Sequence, residues 1–177
     1  MSDLFERVTG DQDIFKKLLS KIPGFSGYIE RSNRRQADQI LRQAVAQRYE
    51  DQWQRISGLQ RDLISTGGIA YVDDMEAAAI KLRQFIDRVR TASYGYSGFF
   101  DAVKINEEEL AQVYQYDLAL LDAADEVKNA VDNVETSMGT DGLPAAIRHL
   151  TAIAQQSVDA YNRRSEVMIG GITGTAQ

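Results

Sequence analysis

Glu107 to Met138 reads EEELAQVYQYDLALLDAADEVKNAVDNVETSM, and within it Leu110, Val113, Asp117, Leu120, Ala124, Val127, Val131, Val134 and Met138 recur at steps of 3, 4, 3, 4, 3, 4, 3 and 4. Steps of three and four hold these positions on one side of a helix, and a repeat of seven sustained this long gives left-handed pairing with a neighbouring helix. Asn106 supplies a cap, Glu109 stands three residues beyond it as in a capping box, and Glu107 and Glu108 suit the positive end of the helix dipole. Asp117 is the one charged member of the seam. Buried alone it would cost several kcal/mol, so it must be paired, hydrated or protonated. An arginine from the long second helix is the expected partner, with a place at the wet margin of the seam as the alternative.

Downstream, Gly139 to Gly142 make a turn, and Pro144 sits in the first turn of a last helix, where its missing donor does no harm. Ile147, Leu150, Ala154, Val158, Tyr161 and Met168 form that helix's inner face. The end, Ile169 to Gln177, holds three glycines among small residues and is expected to be a flexible tail.

Upstream, a helix from about Asp73 to Ala92 turns Met75, Ala79, Leu82, Phe85, Ile86 and Val89 inward. A longer one from about Ser32 to Thr66 carries Ala37, Leu41, Val45, Tyr49, Trp53, Ile56, Leu59 and Leu63, and Gly67-Gly68 ends it. At 1.5 Å per residue it reaches roughly 50 Å, so it either spans the bundle or projects from it. Between Ala92 and Asn106, Tyr94-Gly95-Tyr96-Ser97-Gly98-Phe99-Phe100 reads as an ordered loop tucked against the core, with an exposed docking surface or the mouth of a small pocket as the alternative. Near the amino end, Leu4, Phe5 and Val8 make a short amphipathic piece closed by Gly10. Asp11 or Asp13 then caps a second, with Ile14, Phe15, Leu18, Leu19 and Ile22 on one side and Lys16, Lys17 and Lys21 on the other, until Pro23-Gly24 stops it. Such a basic amphipathic helix can lie on an anionic membrane or enter a partner's groove, but folding back on its own bundle is the preferred reading. Pro23 and Pro144 are the only prolines, so nothing interrupts the helical period between them.

The expected fold is therefore all-α. It is an antiparallel bundle of about four long helices in a single domain over 1–177, with the short helices of 1–22 packed on it and 169–177 as tail. With 177 residues the chain can bury a sizeable core without staples, and it has no cysteine, which removes disulfides, thiolate metal sites and cysteine nucleophiles. No stretch approaches a membrane span and Met1 to Gly10 lacks an apolar leader core, so a cytoplasmic home, if anything peripheral to a membrane, is expected.

The net charge of −6 is unevenly spread. From Glu107 to Asp141 ten acids face Lys128 alone, whereas from Arg31 to Arg61 seven arginines face three acids. Two stretches of opposite sign are expected to pack side by side. An acidic chain without a nucleic-acid motif is not expected to bind nucleic acid.

Catalytic and metal inventories are thin. A di-iron bundle needs Glu-x-x-His pairs on facing helices, and this chain has one histidine, His149, with no ligand neighbours at helical spacing. It reads as a partly buried structural residue. Any common triad would have to run through it, and choosing Ser93, Ser97 or Ser157 as nucleophile would be arbitrary. No phosphate-binding or dinucleotide-binding glycine motif is present. Asp122, Asp125 and Glu126 could hold magnesium or calcium but read better as an exposed acidic face.

The segment Ile22-Pro23-Gly24-Phe25-Ser26-Gly27-Tyr28-Ile29-Glu30, followed by Arg34-Arg35-Gln36-Ala37-Asp38, resembles a pattern in short helical bacterial proteins of unknown function. Tyr96-Ser97-Gly98-Phe99-Phe100-Asp101 and the helix after it resemble that family's second half. The resemblance brings no activity, and implies at most a loose association with membrane scaffolds of the stomatin and prohibitin type. The expected function is non-enzymatic interaction or scaffolding, without cofactor or metal, through a protein partner or self-association. Lys16, Lys17, Lys21, Tyr94, Tyr96, Phe99, Phe100 and Asp117 are the candidate interaction residues. The alternatives are a membrane-surface adaptor working through 13–22, and a bundle that binds a small ligand or hard metal or is an unrecognised enzyme.

Overall fold

Apolar stripes at helical spacing, broken only by glycine-bearing turns, become five helices in the computed structural model, which describes residues 12–92, 99–100 and 107–174, with only the backbone of 12–13, 107 and 171–174. They are α1 (Gln12–Lys21), α2 (Arg34–Ser65), α3 (Val72–Thr91), α4 (Glu107–Ser137) and α5 (Leu143–Gly174). No strand occurs among the described residues. Single 3₁₀ turns, Arg31–Asn33 and Ile69–Tyr71, lead into α2 and α3.

The α4 seam is internal along its length, from Leu110 through Val134, with Met138 partly buried where the helix ends. It faces α5, the most extensive helix pairing of the bundle. α2 does not project. Its stripe is buried from Ala37 near the start to Leu63 near the end, so the helix spans the bundle. It stops because Gly67 adopts φ +87°, which lets the Gly68 amide donate back to Leu63 O at 2.7 Å, satisfying a carbonyl that the helix end leaves open.

Each of α2 and α5 lies against both α3 and α4, which closes a four-helix ring. Cross-helix bonds give the directions. Gln60 meets Glu76 and Arg42 meets the Val89 carbonyl, so α2 and α3 are antiparallel, as their short turn requires. Arg48 pairs with Asp125 and Arg55 with Asp132, so α2 and α4 run parallel. Lys81 with Gln155 and Arg88 with Asn162 show the same for α3 and α5. The intervening helix returns the chain along the bundle between parallel neighbours, α3 between α2 and α4, and α4 between α3 and α5. The starts of α2 and α4 and the ends of α3 and α5 therefore meet at one end of the bundle.

The complementary charge stretches do pack side by side. Arg55 bridges Asp132 at 2.6 Å and Glu135 at 2.9 Å, and Arg48 reaches Asp125 at 3.5 Å, all between α2 and α4. Two expectations need correction. α5 continues as helix through Gly174, into the segment read as a flexible tail, because Met168 is buried and anchors the turns on either side of it. His149 is exposed rather than partly buried, since it follows Ile147 and precedes Leu150 on the outer side of α5. The first amphipathic piece, Leu4 to Gly10, lies outside the described residues.

Candidate functional site

Seven residues after Tyr161 the inner face of α5 resumes at Met168, and the slot between them is filled by Arg164. Its guanidinium is fully buried, at 0% exposure, and it binds across the bundle. Nε donates to Asp117 Oδ1 of α4 at 2.6 Å, and Nη2 donates to Asp38 Oδ1 of α2 at 2.6 Å and to the Tyr28 hydroxyl at 3.3 Å. Tyr28 in turn donates to Asp117 Oδ2 at 2.6 Å. Asp38 also accepts from Arg42 Nε at 2.7 Å, and Arg42 Nη1 caps the end of α3 by donating to the carbonyls of Val89 at 3.0 Å and Arg90 at 3.2 Å. Two carboxylates and two guanidiniums are thereby closed into one neutral cluster that touches all four long helices. Among the described residues no buried side-chain nitrogen or oxygen lacks a partner.

Burial pushes the Asp117 carboxyl up to about 6, while the Arg164 charge and the Tyr28 and Arg164 hydrogen bonds pull the other way. It is therefore mostly ionised at neutral pH. Burial first, then the Asp117 charge, pushes the Tyr28 hydroxyl well above its ordinary value, which keeps it a donor.

The segment that looked like a family signature builds the lid over this cluster. Gly24 and Gly27 take φ of +82° and +81°, folding the chain so that Phe25 and Tyr28 both turn inward. Tyr114 of α4 accepts from the Tyr28 amide at 2.7 Å, and Arg34 Nε donates to the Tyr28 carbonyl at 2.6 Å. Phe25, Phe100 and Tyr114 surround the Tyr28 ring at centroid distances of 5.5, 5.6 and 5.2 Å, and Phe99 packs edge-on against Phe100. Aromatics on this scale exclude water from the ions beneath.

The structure therefore places the candidate residues very differently from one another. Phe99 and Phe100 are buried, which agrees with a segment tucked against the core and removes them as a contact surface, but they are helical rather than loop; Tyr94 and Tyr96 lie outside the described residues. Asp117 is buried at 0% exposure, neither at a wet margin nor on a surface. Its arginine comes from α5, not from the long second helix, because the arginines of α2 near this level serve other partners, Arg42 holding Asp38 and the end of α3. The heptad face of α4 is spent inside the bundle. Lys16 and Lys17 are exposed, while Lys21 forms ion pairs with Asp122 at 3.0 Å and Asp125 at 3.2 Å, which raise its pKa. Those two acids are two of the three, with Glu126, that could have been metal ligands. They are engaged with Lys21 and Arg48 instead.

Tyr28, Asp38, Arg42 and Arg164 escaped the sequence reading, although two signals existed. Arg164 occupies the vacant heptad slot of α5, and Asp38 with Arg42 is an acid and base four residues apart, each directly following a buried residue of the α2 stripe.

Fold and site together define a closed four-helix bundle with an internal ionic cluster and an aromatic lid. Comparison with protein-family models, with curated proteins and with solved structures finds no match.

Proposed function

We propose that this chain is a non-enzymatic helical interaction or scaffold protein. The observation that carries the reading is the closure of the dense polar cluster built by the described residues. Tyr28, Asp38, Arg42, Asp117 and Arg164 are all buried and partnered, so the groups with the most chemical potential hold helices together and offer solvent no nucleophile, base or open ligand position. Five large apolar side chains are exposed among the described residues, Leu19, Ile64, Ile69, Ile80 and Ile169, and two of them stand where α2 turns into α3. Ile64 and Ile69 are 55% and 70% exposed there, beside a groove lined by Trp53, Ser57 and Val72. A groove with an exposed isoleucine in its lining is the surface that best supports a contact site.

The test is cross-linking in the native host, comparing the wild type with an Ile64→Glu/Ile69→Glu variant shown to remain folded. A protein cross-linked in stoichiometric yield to the wild type and lost from the variant supports the reading. A bound small molecule in the untagged protein, with no cross-linked partner, overturns it.

The rival reading is a membrane-surface adaptor acting through 13–22, and the exposed Lys16 and Lys17 favour it. It ranks second because Leu18 and Ile22, the residues that would enter lipid, are already buried in the core. Salt-sensitive sedimentation with anionic vesicles, absent with neutral ones and lost in Lys16→Glu/Lys17→Glu, would reverse the ranking. Lys21 is left unchanged in that variant because it is part of the folded structure.

A further inference from the structure

α1 is joined to the rest of the molecule differently from every other helix. It is ten residues long and lies mainly along α4, whereas the four long helices each have two long neighbours. Leu18 and Ile22 are its fully buried anchors, and Phe15 meets Tyr114 edge-on at 6.0 Å. Its carboxyl end is held by charge. Lys21 Nζ bridges Asp122 and Asp125 on adjacent turns of α4, and Arg48 of α2 donates to the Lys21 carbonyl at 3.1 Å while pairing with Asp125. These acids are open to solvent, with side-chain exposures of 56% and 54%, so salt can screen the pairs.

Immediately beyond lie Pro23 and Gly24. Gly24 is exposed, has φ +82°, and has open space where a side chain would project. On the far side Phe25 and Tyr28 are buried, and Tyr28 is bonded to Tyr114, Asp117 and Arg34. Rotation about Pro23-Gly24 would break the bond from the Phe25 amide to the Ile22 carbonyl at 3.2 Å and lift Phe15 off Tyr114, while leaving Tyr28 bonded to Asp117 and Arg34 and the ionic cluster intact.

We propose that α1 with Ile22 is a strap, latched to α4 by the Lys21–Asp122–Asp125 cluster, that opens about Pro23-Gly24 while the four-helix bundle stays folded. Opening presents two surfaces together. One is the strap's own basic amphipathic face, and the other is the strip of α4 that it leaves, running from Tyr114 to the freed carboxylates of Asp122 and Asp125.

Amide hydrogen exchange read by mass spectrometry on the full chain tests it, comparing 14–22 with 120–131 of α4. Segments that open locally exchange ahead of the global unfolding unit. Exchange in 14–22 is expected to be at least about tenfold faster than in 120–131, and to accelerate a further two- to tenfold at high salt or in Asp122→Asn/Asp125→Asn, the range that exposed ion pairs support. Residues 120–131 should not change under either treatment. Exchange of 14–22 at the rate of the bundle would overturn the strap. Fast exchange indifferent to both salt and the double variant would overturn the latch, since the helix would then be held by its apolar contacts alone. If the double variant speeds exchange throughout the chain, the acids belong to the global fold and the proposal fails.

Discussion

Asp117 accepts from two donors at once, Tyr28 and Arg164, and this changes what its replacement should do. For a simple ion pair in an apolar seam, leucine would be neutral or stabilising. Here leucine strands the Tyr28 hydroxyl and half of the Arg164 guanidinium in the core, so Asp117→Leu should cost about 2–3 kcal/mol and Arg164→Met, which leaves Asp117 an uncompensated buried charge, about 3–5 kcal/mol. The combined variant Tyr28→Phe, Asp117→Leu, Arg164→Met retains the Asp38–Arg42 pair and should recover most of the loss. Urea unfolding of the four proteins decides it, and a triple variant as weak as the sum of its parts would show that the cluster is not the coupled unit described. The raised Asp117 pKa gives a second expectation. Between the unfolded value of 3.8 and the folded value of about 6 the native carboxyl holds a proton that the unfolded one has released. This group's contribution is thus fully present below 3.8 and declines as pH rises through about 6. The stability of the wild type relative to Asp117→Asn should therefore be greater at pH 4.5 than at pH 7. The opposite slope would mean that Arg164 outweighs burial.

At the scale of elements, Gly24 and Gly27 do similar backbone work with different surroundings, and comparing them separates conformation from packing. Both have positive φ, but a Cβ on Gly24 meets nothing within 4 Å, whereas one on Gly27 would stand 2.6 Å from Tyr114 Oη and 3.0 Å from Phe15 Cε2. Gly24→Ala should cost about 1 kcal/mol, the ordinary penalty of left-handed backbone. Gly27→Ala adds displacement of the tyrosine that receives the Tyr28 amide and should cost roughly 3 kcal/mol or more. Equal thermal shifts for the two would contradict this account of the lid. The elements themselves were legible in the sequence because each long helix carries a continuous apolar stripe that only one face can bury. The loop-borne lid was not, since which aromatic meets which depends on contacts such as Tyr28 to Phe100, residues far apart in the chain.

For the whole molecule, no group of three or more His, Cys, Asp or Glu side chains is arranged to hold a metal among the described residues, and Asp122 and Asp125 already have cationic partners. Elemental analysis of untagged protein should accordingly find far less than one iron or zinc per chain; a stoichiometric content would return His149 and the acidic face of α4 to consideration. No helix is long and apolar enough to cross a membrane among the residues described. What the sequence by itself determined was the number of long helices, their approximate extents except the end of α5, their apolar stripes, and the sign of the charge that α2 and α4 present to each other. Those properties are periodic and local, so neighbours three and four residues apart carry them. Only the tertiary structure decided that Arg164 rather than an arginine of α2 meets Asp117, that Tyr28 completes the pair, and that the aromatic segment seals it. A buried charge selects its partner by where helices far apart in sequence are brought into contact, and that choice is made by the packing of the whole ring.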